Sequence, residues 1–120
     1  MFTHLHLHTQ YSLLEGAIRV KQLAKILKER GFSACAITDH GNLFGAVEFY
    51  QALEKENLKP LIGMGAFVSE VPLAEHPDPN ANLRYFHTQL LCQNRQGYQN
   101  LALSRESWFH GWKATRRPFD

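Results

Sequence analysis

The hydrophobic period changes twice in the first part of the chain, and that order of periods restricts the folds open to it. Residues 2–8 alternate, with His4, His6 and His8 on one side and Thr3, Leu5 and Leu7 on the other. A period of two predicts a short strand with an apolar face and a histidine face. Over 18–30 the apolar positions become Val20, Leu23, Ala24 and Leu27, the i, i+3, i+4, i+7 stripe of an amphipathic helix, with Gly31 placed to end it. Ala34-Cys35-Ala36-Ile37-Thr38 is a continuous small and apolar run, suited to a strand covered on both faces.

The remainder continues the alternation of element types. Asp39-His40-Gly41-Asn42 is a polar turn, and a second helix is expected over 43–56 with Ala46, Val47, Phe49, Tyr50 and Leu53 on its buried side. Residues 60–68 predict a third strand, interrupted by Gly63 and Gly65. Prolines, asparagines and charges over 70–83 read as an exposed loop. An alternating strand over 85–92, a helix over 97–108 and a basic, aromatic tail complete the chain.

The order β-α-β-α-β-loop-β-α favours a parallel sheet or an α/β barrel. At roughly 30 residues per βα unit the chain holds about four units, whereas a closed barrel takes on the order of 200 residues or more. The expectation is therefore one α/β domain over residues 1–120, either an open sheet or the front part of a barrel. An incomplete barrel would leave a sheet edge and an apolar surface exposed, so self-association is expected.

Composition removes several function classes. No run approaches the roughly 18 apolar residues of a membrane span, and Met1-Phe2-Thr3-His4 does not open a secretory signal. A net charge of +2 does not by itself imply nucleic-acid binding. Cys35 and Cys92 make no disulfide framework and suit a reducing cytoplasm. The unusual number is seven histidines, three of them within the first eight residues.

His6-Leu7-His8 puts two imidazoles on the same side of a strand, with Cα atoms about 6.6 Å apart. Such a pair can converge on zinc or a related divalent metal, or simply face solvent. His40, in Thr38-Asp39-His40-Gly41, follows a buried strand directly, so His8 and His40 fall at the carboxyl ends of successive strands, where α/β folds gather their ligands. Asp39 reads either as a carboxylate that fixes a histidine tautomer or as a turn aspartate. Ser12-Leu13-Leu14-Glu15 has the spacing of a capping box, yet Glu15 on a loop after the first strand is equally a carboxylate ligand. His87, between Phe86 and Thr88, reads alone as a core histidine.

Together these segments resemble a family. His6-Leu7-His8-Thr9, Tyr11-Ser12-Leu13-Leu14-Glu15-Gly16 and the long run from Ala36-Ile37-Thr38-Asp39-His40-Gly41-Asn42 through Phe49-Tyr50 are similar to the polymerase-and-histidinol-phosphatase (PHP) domain, in the form that opens the α subunits of bacterial replicative DNA polymerases. Lys59-Pro60-Leu61-Ile62-Gly63, Tyr85-Phe86-His87 and Gly97-Tyr98-Gln99-Asn100-Leu101 agree with it. The resemblance implies a partial (β/α) barrel, about four units of a seven-stranded whole, of metal-dependent phosphoesterase ancestry. In some polymerase subunits such a domain is a 3′–5′ exonuclease; in others its role is structural or docking. Carried over by position, His6 and His8 match ligands of one metal, Glu15 and His40 ligands of another, and His87 a ligand of a third. Asp39 belongs to the second motif as a supporting residue.

One departure bears on activity. Where the family places a glutamate that bridges two metals, this chain has Gly65, which carries no ligand atom. Further family ligands come from later strands than those present. The expectation is a domain with weakly bound zinc or manganese and little hydrolysis of its own, and no catalytic side chain is assigned. Its implied partners are the rest of a polymerase chain, other holoenzyme subunits and, through the parent protein, DNA. The rival is an active phosphoesterase or exonuclease, whose metal-bound water would need no serine or cysteine nucleophile. An amidohydrolase barrel also begins with His-x-His, but the Thr38-Asp39-His40-Gly41 run points away from it.

Overall fold

The computed structural model describes residues 2–69 and 85–112. Its elements run α1 (Val20–Glu29), β1 (Ala34–Ile37), α2 (Ala46–Lys55), β2 (Lys59–Ser69), β3 (Tyr85–Leu91) and α3 (Arg95–Trp112). The expected loop over 70–83 and most of the basic tail lie outside the described residues.

The expected interior stripe of α1 is the one that is buried: Val20, Leu23, Ala24 and Leu27. Arg19 at its start offers no side-chain cap, so packing of that stripe, rather than capping, holds the helix. Both early helices end in the same way. Gly31 (φ 74°) follows α1 and Asn57 (φ 58°) follows α2 in the left-handed region. Phe32 N–H then donates to Leu27 O and Leu58 N–H to Leu53 O, each at 2.9 Å. These are Schellman closures, in which the apolar residue after the turn folds back on the last helical turn. Each closure leads into a strand, and Lys59 N–H donating to Ser33 O at 2.8 Å starts β1 and β2 side by side.

β1 pairs in parallel with the first four residues of β2, from Ala34 opposite Lys59 to Ile37 opposite Ile62. The last seven residues of β2 pair antiparallel with β3, from Gly63 opposite Leu91 to Ser69 opposite Tyr85. The class is α/β as expected, but the described sheet is mixed and three-stranded, in the order β1-β2-β3. The direction of β3 corrects the expectation of a fourth parallel unit. A strand covered on both faces reads as a continuous apolar run, whereas 85–92 alternates and Phe86 and Leu90 are exposed, the pattern of an antiparallel strand with a solvated face.

The expected strand over 2–8 is an extended segment pinned to β1 at separate points. His4 forms an isolated bridge to Cys35, Ala36 N–H donates to His4 O at 2.8 Å, and Thr38 N–H donates to Leu7 O at 2.9 Å. The Leu7 N–H goes to the Thr38 hydroxyl at 2.8 Å instead of to a main-chain carbonyl. A side chain thereby replaces a rung of the ladder.

The core gathers Leu7, Val20, Leu23, Leu27, Cys35, Ile37, Phe49, Leu53 and Leu58 between the two helices and the sheet. Lys28 of α1 and Glu56 after α2 close its surface with a 2.8 Å ion pair. On α2 the buried residues are Ala46, Phe49 and Leu53. Val47 and Tyr50, expected inside, are exposed and line an open hollow of about 530 Å³ with Pro60, Ile62, Cys92 and Tyr98. Among the described residues no helix is long and apolar enough to cross a membrane.

Candidate functional site

Three parts of the chain meet where β1 ends: the loop that follows His8, the turn 38–42, and the β2–β3 ladder at Gly65. The loop is held by a single buried carboxylate. Asp39, 1% exposed, accepts hydrogen bonds from Thr9 N–H at 2.6 Å, from the Thr9 hydroxyl at 2.7 Å and from the Ser12 hydroxyl at 2.6 Å. Hydrogen bonds to an ionised acceptor are the short, strong kind. The Ser12 oxygen in turn accepts from His40 N–H at 3.1 Å. Because Thr9 follows His8 and Asp39 precedes His40, this network sets both histidines through their backbone.

That arrangement bears on two sequence readings. Asp39 accepts from Thr9 and Ser12 of the loop beside it, the behaviour of a turn aspartate. Ser12 does not open a capping box, because its hydroxyl is given to Asp39 and α1 begins only at Val20. Glu15 is therefore free to act away from any helix. Its carboxylate lies 2.6 Å from His40 Nε2. Tyr11 and Asn42 tie the same loop down: the Tyr11 hydroxyl donates to Glu48 of α2 at 2.6 Å, and Asn42 Nδ2 donates to Tyr11 O at 3.0 Å.

The rings form a chain of contacts. His8 and His40 stack with centroids 4.0 Å apart and planes 12° from parallel. His6 stands edge-on to His8 at 4.8 Å, and the two Nε2 atoms are 2.9 Å apart. His87 lies with its centroid 5.5 Å from His40, its ring edge-on to Phe67 at 4.2 Å. All of His6, His8, Glu15, His40 and His87 are thus brought to one rim. His4 is not, since it packs between Phe2 and Phe32. Partial burial, followed by the neighbouring His40 and His6, holds His8 below the usual histidine pKa.

Gly65 lies in the floor of this rim. Its N–H donates to Asp39 O at 3.0 Å and its carbonyl accepts from Gly41 N–H at 2.8 Å, so it pairs with His40 on one side and with Gln89 on the other. A Cβ added here would meet His40 Nδ1 at 3.3 Å, Thr38 O at 3.4 Å and Gln89 Oε1 at 3.5 Å. Three polar side-chain atoms around this floor, His8 Nδ1, His40 Nδ1 and Gln89 Oε1, are buried without a hydrogen-bond partner. Gln89 also reaches His6, Nε2 to Nε2, at 3.2 Å.

A PHP domain model matches residues 4–116. The chain belongs to the PHP family. It is 48% identical over 111 residues to DNA polymerase III subunit alpha of Campylobacter jejuni, a match covering 92% of this chain and 9% of that protein. The corresponding subunits of Helicobacter pylori strain J99 and Thermus aquaticus are 46% and 44% identical, over the same shares. The chain thus spans about a tenth of the length of these relatives.

PHP domains generally bind divalent metals. Two donors of a tetrahedral zinc lie about 3.3 Å apart, close to the 2.9 Å between the His6 and His8 nitrogens. Glu15 and His40, at 2.6 Å, are paired with each other. Among the described residues, no three His, Cys, Asp or Glu side chains are arranged to hold a metal. Gln89 escaped the sequence reading because a glutamine in a strand carries no motif; only its register opposite Gly65 brings it to the rim.

Proposed function

We propose that the chain is the front part of a PHP domain from a replicative DNA polymerase α subunit, with a reduced metal site and a structural or docking role. The observation that carries this reading is Gly65. It lies between His40 and Gln89 at the position where the family pattern has a bridging glutamate, and it brings no ligand atom. The pairing of Glu15 with His40 supports the same conclusion, because His40 Nε2 and one Glu15 oxygen are turned to each other.

A divalent ion, zinc or manganese, held by His6 and His8 would supply Lewis acidity and acidify a bound water. The residues of this chain would do the rest: Asp39 fixes the segment that carries both histidines through Thr9, and Glu15 holds the His40 ring in place. With so few protein groups to hold it, an ion at His6 and His8 would exchange readily and would serve cohesion of the rim more than turnover. The partners that suit this role are the remainder of a polymerase chain and the subunits bound to it, in the cytoplasm, with DNA reached through the parent protein.

The second reading, an active phosphoesterase or 3′–5′ exonuclease, is favoured by the gathering of His6, His8, His40 and His87 at one rim. Metal analysis of the purified chain after dialysis separates the two. One ion or fewer per chain is expected; close to three tightly held zinc or manganese ions would overturn the proposal.

A further inference from the structure

We infer that Gln89 is a binding residue of the rim: its amide oxygen is the third donor to the ion held by His6 and His8, in place of the carboxylate that Gly65 lacks. The inference rests on the metal-binding reading above and extends it to a residue with no motif.

The register makes the first argument. Gln89 is the direct cross-strand partner of Gly65, and residues so opposed project from the same face of a sheet. A glycine on one strand leaves its half of that face empty, and the side chain opposite can lean into the space. Gln89 does so, with its Oε1 3.5 Å from the Cβ position that Gly65 leaves vacant.

The second argument is the hydrogen-bond pattern. Gln89 Nε2 and His8 Nε2 both approach His6 Nε2, at 3.2 and 2.9 Å. A ring nitrogen carries either one lone pair or one proton, so His6 Nε2 either is asked to accept from the amide NH2 and from His8 together, or turns its own N–H toward the amide NH2. At the other end of the same amide, Gln89 Oε1 is buried and unpartnered, and so is His40 Nδ1 across the vacant Cβ position. His40 Nε2 is taken by Glu15, so Nδ1 is the ring atom that lacks a partner. Both faults are corrected by a half-turn of the amide, which exchanges oxygen and nitrogen in nearly the same volume. The oxygen then faces His6 Nε2, and the NH2 group lies beside the vacant Cβ position, on the side of His40 Nδ1. That orientation adds an amide oxygen beside the His6–His8 nitrogen pair, making three donors, the number of protein ligands an open zinc site ordinarily uses.

The test is Co²⁺ and Zn²⁺ titration of the purified chain, read by calorimetry and by the visible absorption of bound Co²⁺, on the unmodified protein and on Gln89→Leu, Gln89→Asn, Gln89→Glu and His6→Ala. Gln89→Leu is expected to weaken binding by about tenfold or more and to reduce the Co²⁺ band intensity through a changed ligand set. Gln89→Glu should tighten it. If Gln89→Leu does not fold, Gln89→Asn, one methylene shorter, should show the same loss. Equal affinity and identical spectra for the unmodified chain and the Leu or Asn variant, with binding lost in His6→Ala, would overturn the role of Gln89 alone. No binding to the unmodified chain would overturn the metal reading as well.

Discussion

The Asp39 carboxylate grips Thr9 twice, at the main-chain N–H (2.6 Å) and at the hydroxyl (2.7 Å). Through this contact the end of β1 holds the loop that carries Glu15, and His8 and His40 inherit their spacing from it. Replacing Asp39 by alanine leaves the Thr9 N–H and two hydroxyls without their acceptor. Loss of such buried, charge-assisted bonds should lower the unfolding free energy by about 3 kcal/mol, measured by urea denaturation. A loss below about 1 kcal/mol would mean that water replaces the carboxylate at no great cost.

Gly65→Glu returns a carboxylate to the floor of the rim. The first atom of the new side chain fits tightly, 3.3 Å from His40 Nδ1 and 3.4 Å from Thr38 O, so the His40 ring must give by a few tenths of an ångström. Divalent metal affinity should rise by at least about tenfold, because a carboxylate is an anionic donor where the histidines are neutral. Gln89 must move aside to admit it, so Gly65→Glu combined with Gln89→Ala should bind at least as tightly as Gly65→Glu alone. An unchanged affinity in both would show that the side chain at this position does not reach the ion.

The two faces of α2 should respond differently to mutation. Phe49 is fully buried, and Phe49→Ala should cost about 3–5 kcal/mol. Val47, 63% exposed over the open hollow, should tolerate Val47→Lys within about 0.5 kcal/mol. Thermal melts of both variants check this. A large loss at Val47 would place that hollow against another part of an assembly in solution.

The thiols offer a probe of folding. Burial pushes Cys35 up to about 11, so at neutral pH almost none of it is thiolate, the reactive form. Burial also raises Cys92, which is less enclosed. Iodoacetamide at pH 7.5 should label Cys92 well before Cys35, and Cys35 only after unfolding. Equal rates in the native chain would contradict the packing of β1.

Much of the α-helical half was legible in sequence. Val20, Leu23, Ala24 and Leu27 form the α1 stripe because that helix has one apolar neighbour. Val47 and Tyr50 misled because an apolar pattern marks surface that seeks cover without saying whether the core supplies it. The direction of β3 depends on pairing with β2, a contact between distant residues that no local period encodes. The irregular path over 2–8 turns on one hydroxyl, Thr38, that competes with the main chain. At the site, the histidines and Glu15 stood out by type and motif. Thr9, Ser12 and Gln89 did not, since their roles arise from where Asp39 and Gly65 place their partners.

Hydrolysis by the purified chain bears most directly on the central claim. A 3′-labelled oligonucleotide and a chromogenic phosphodiester, each incubated with Mn²⁺ or Zn²⁺, should show no metal-stimulated cleavage above the level of a His8→Ala variant. Robust cleavage by the unmodified chain, abolished in His8→Ala, would contradict the structural or docking role and make the rim a working phosphoesterase site.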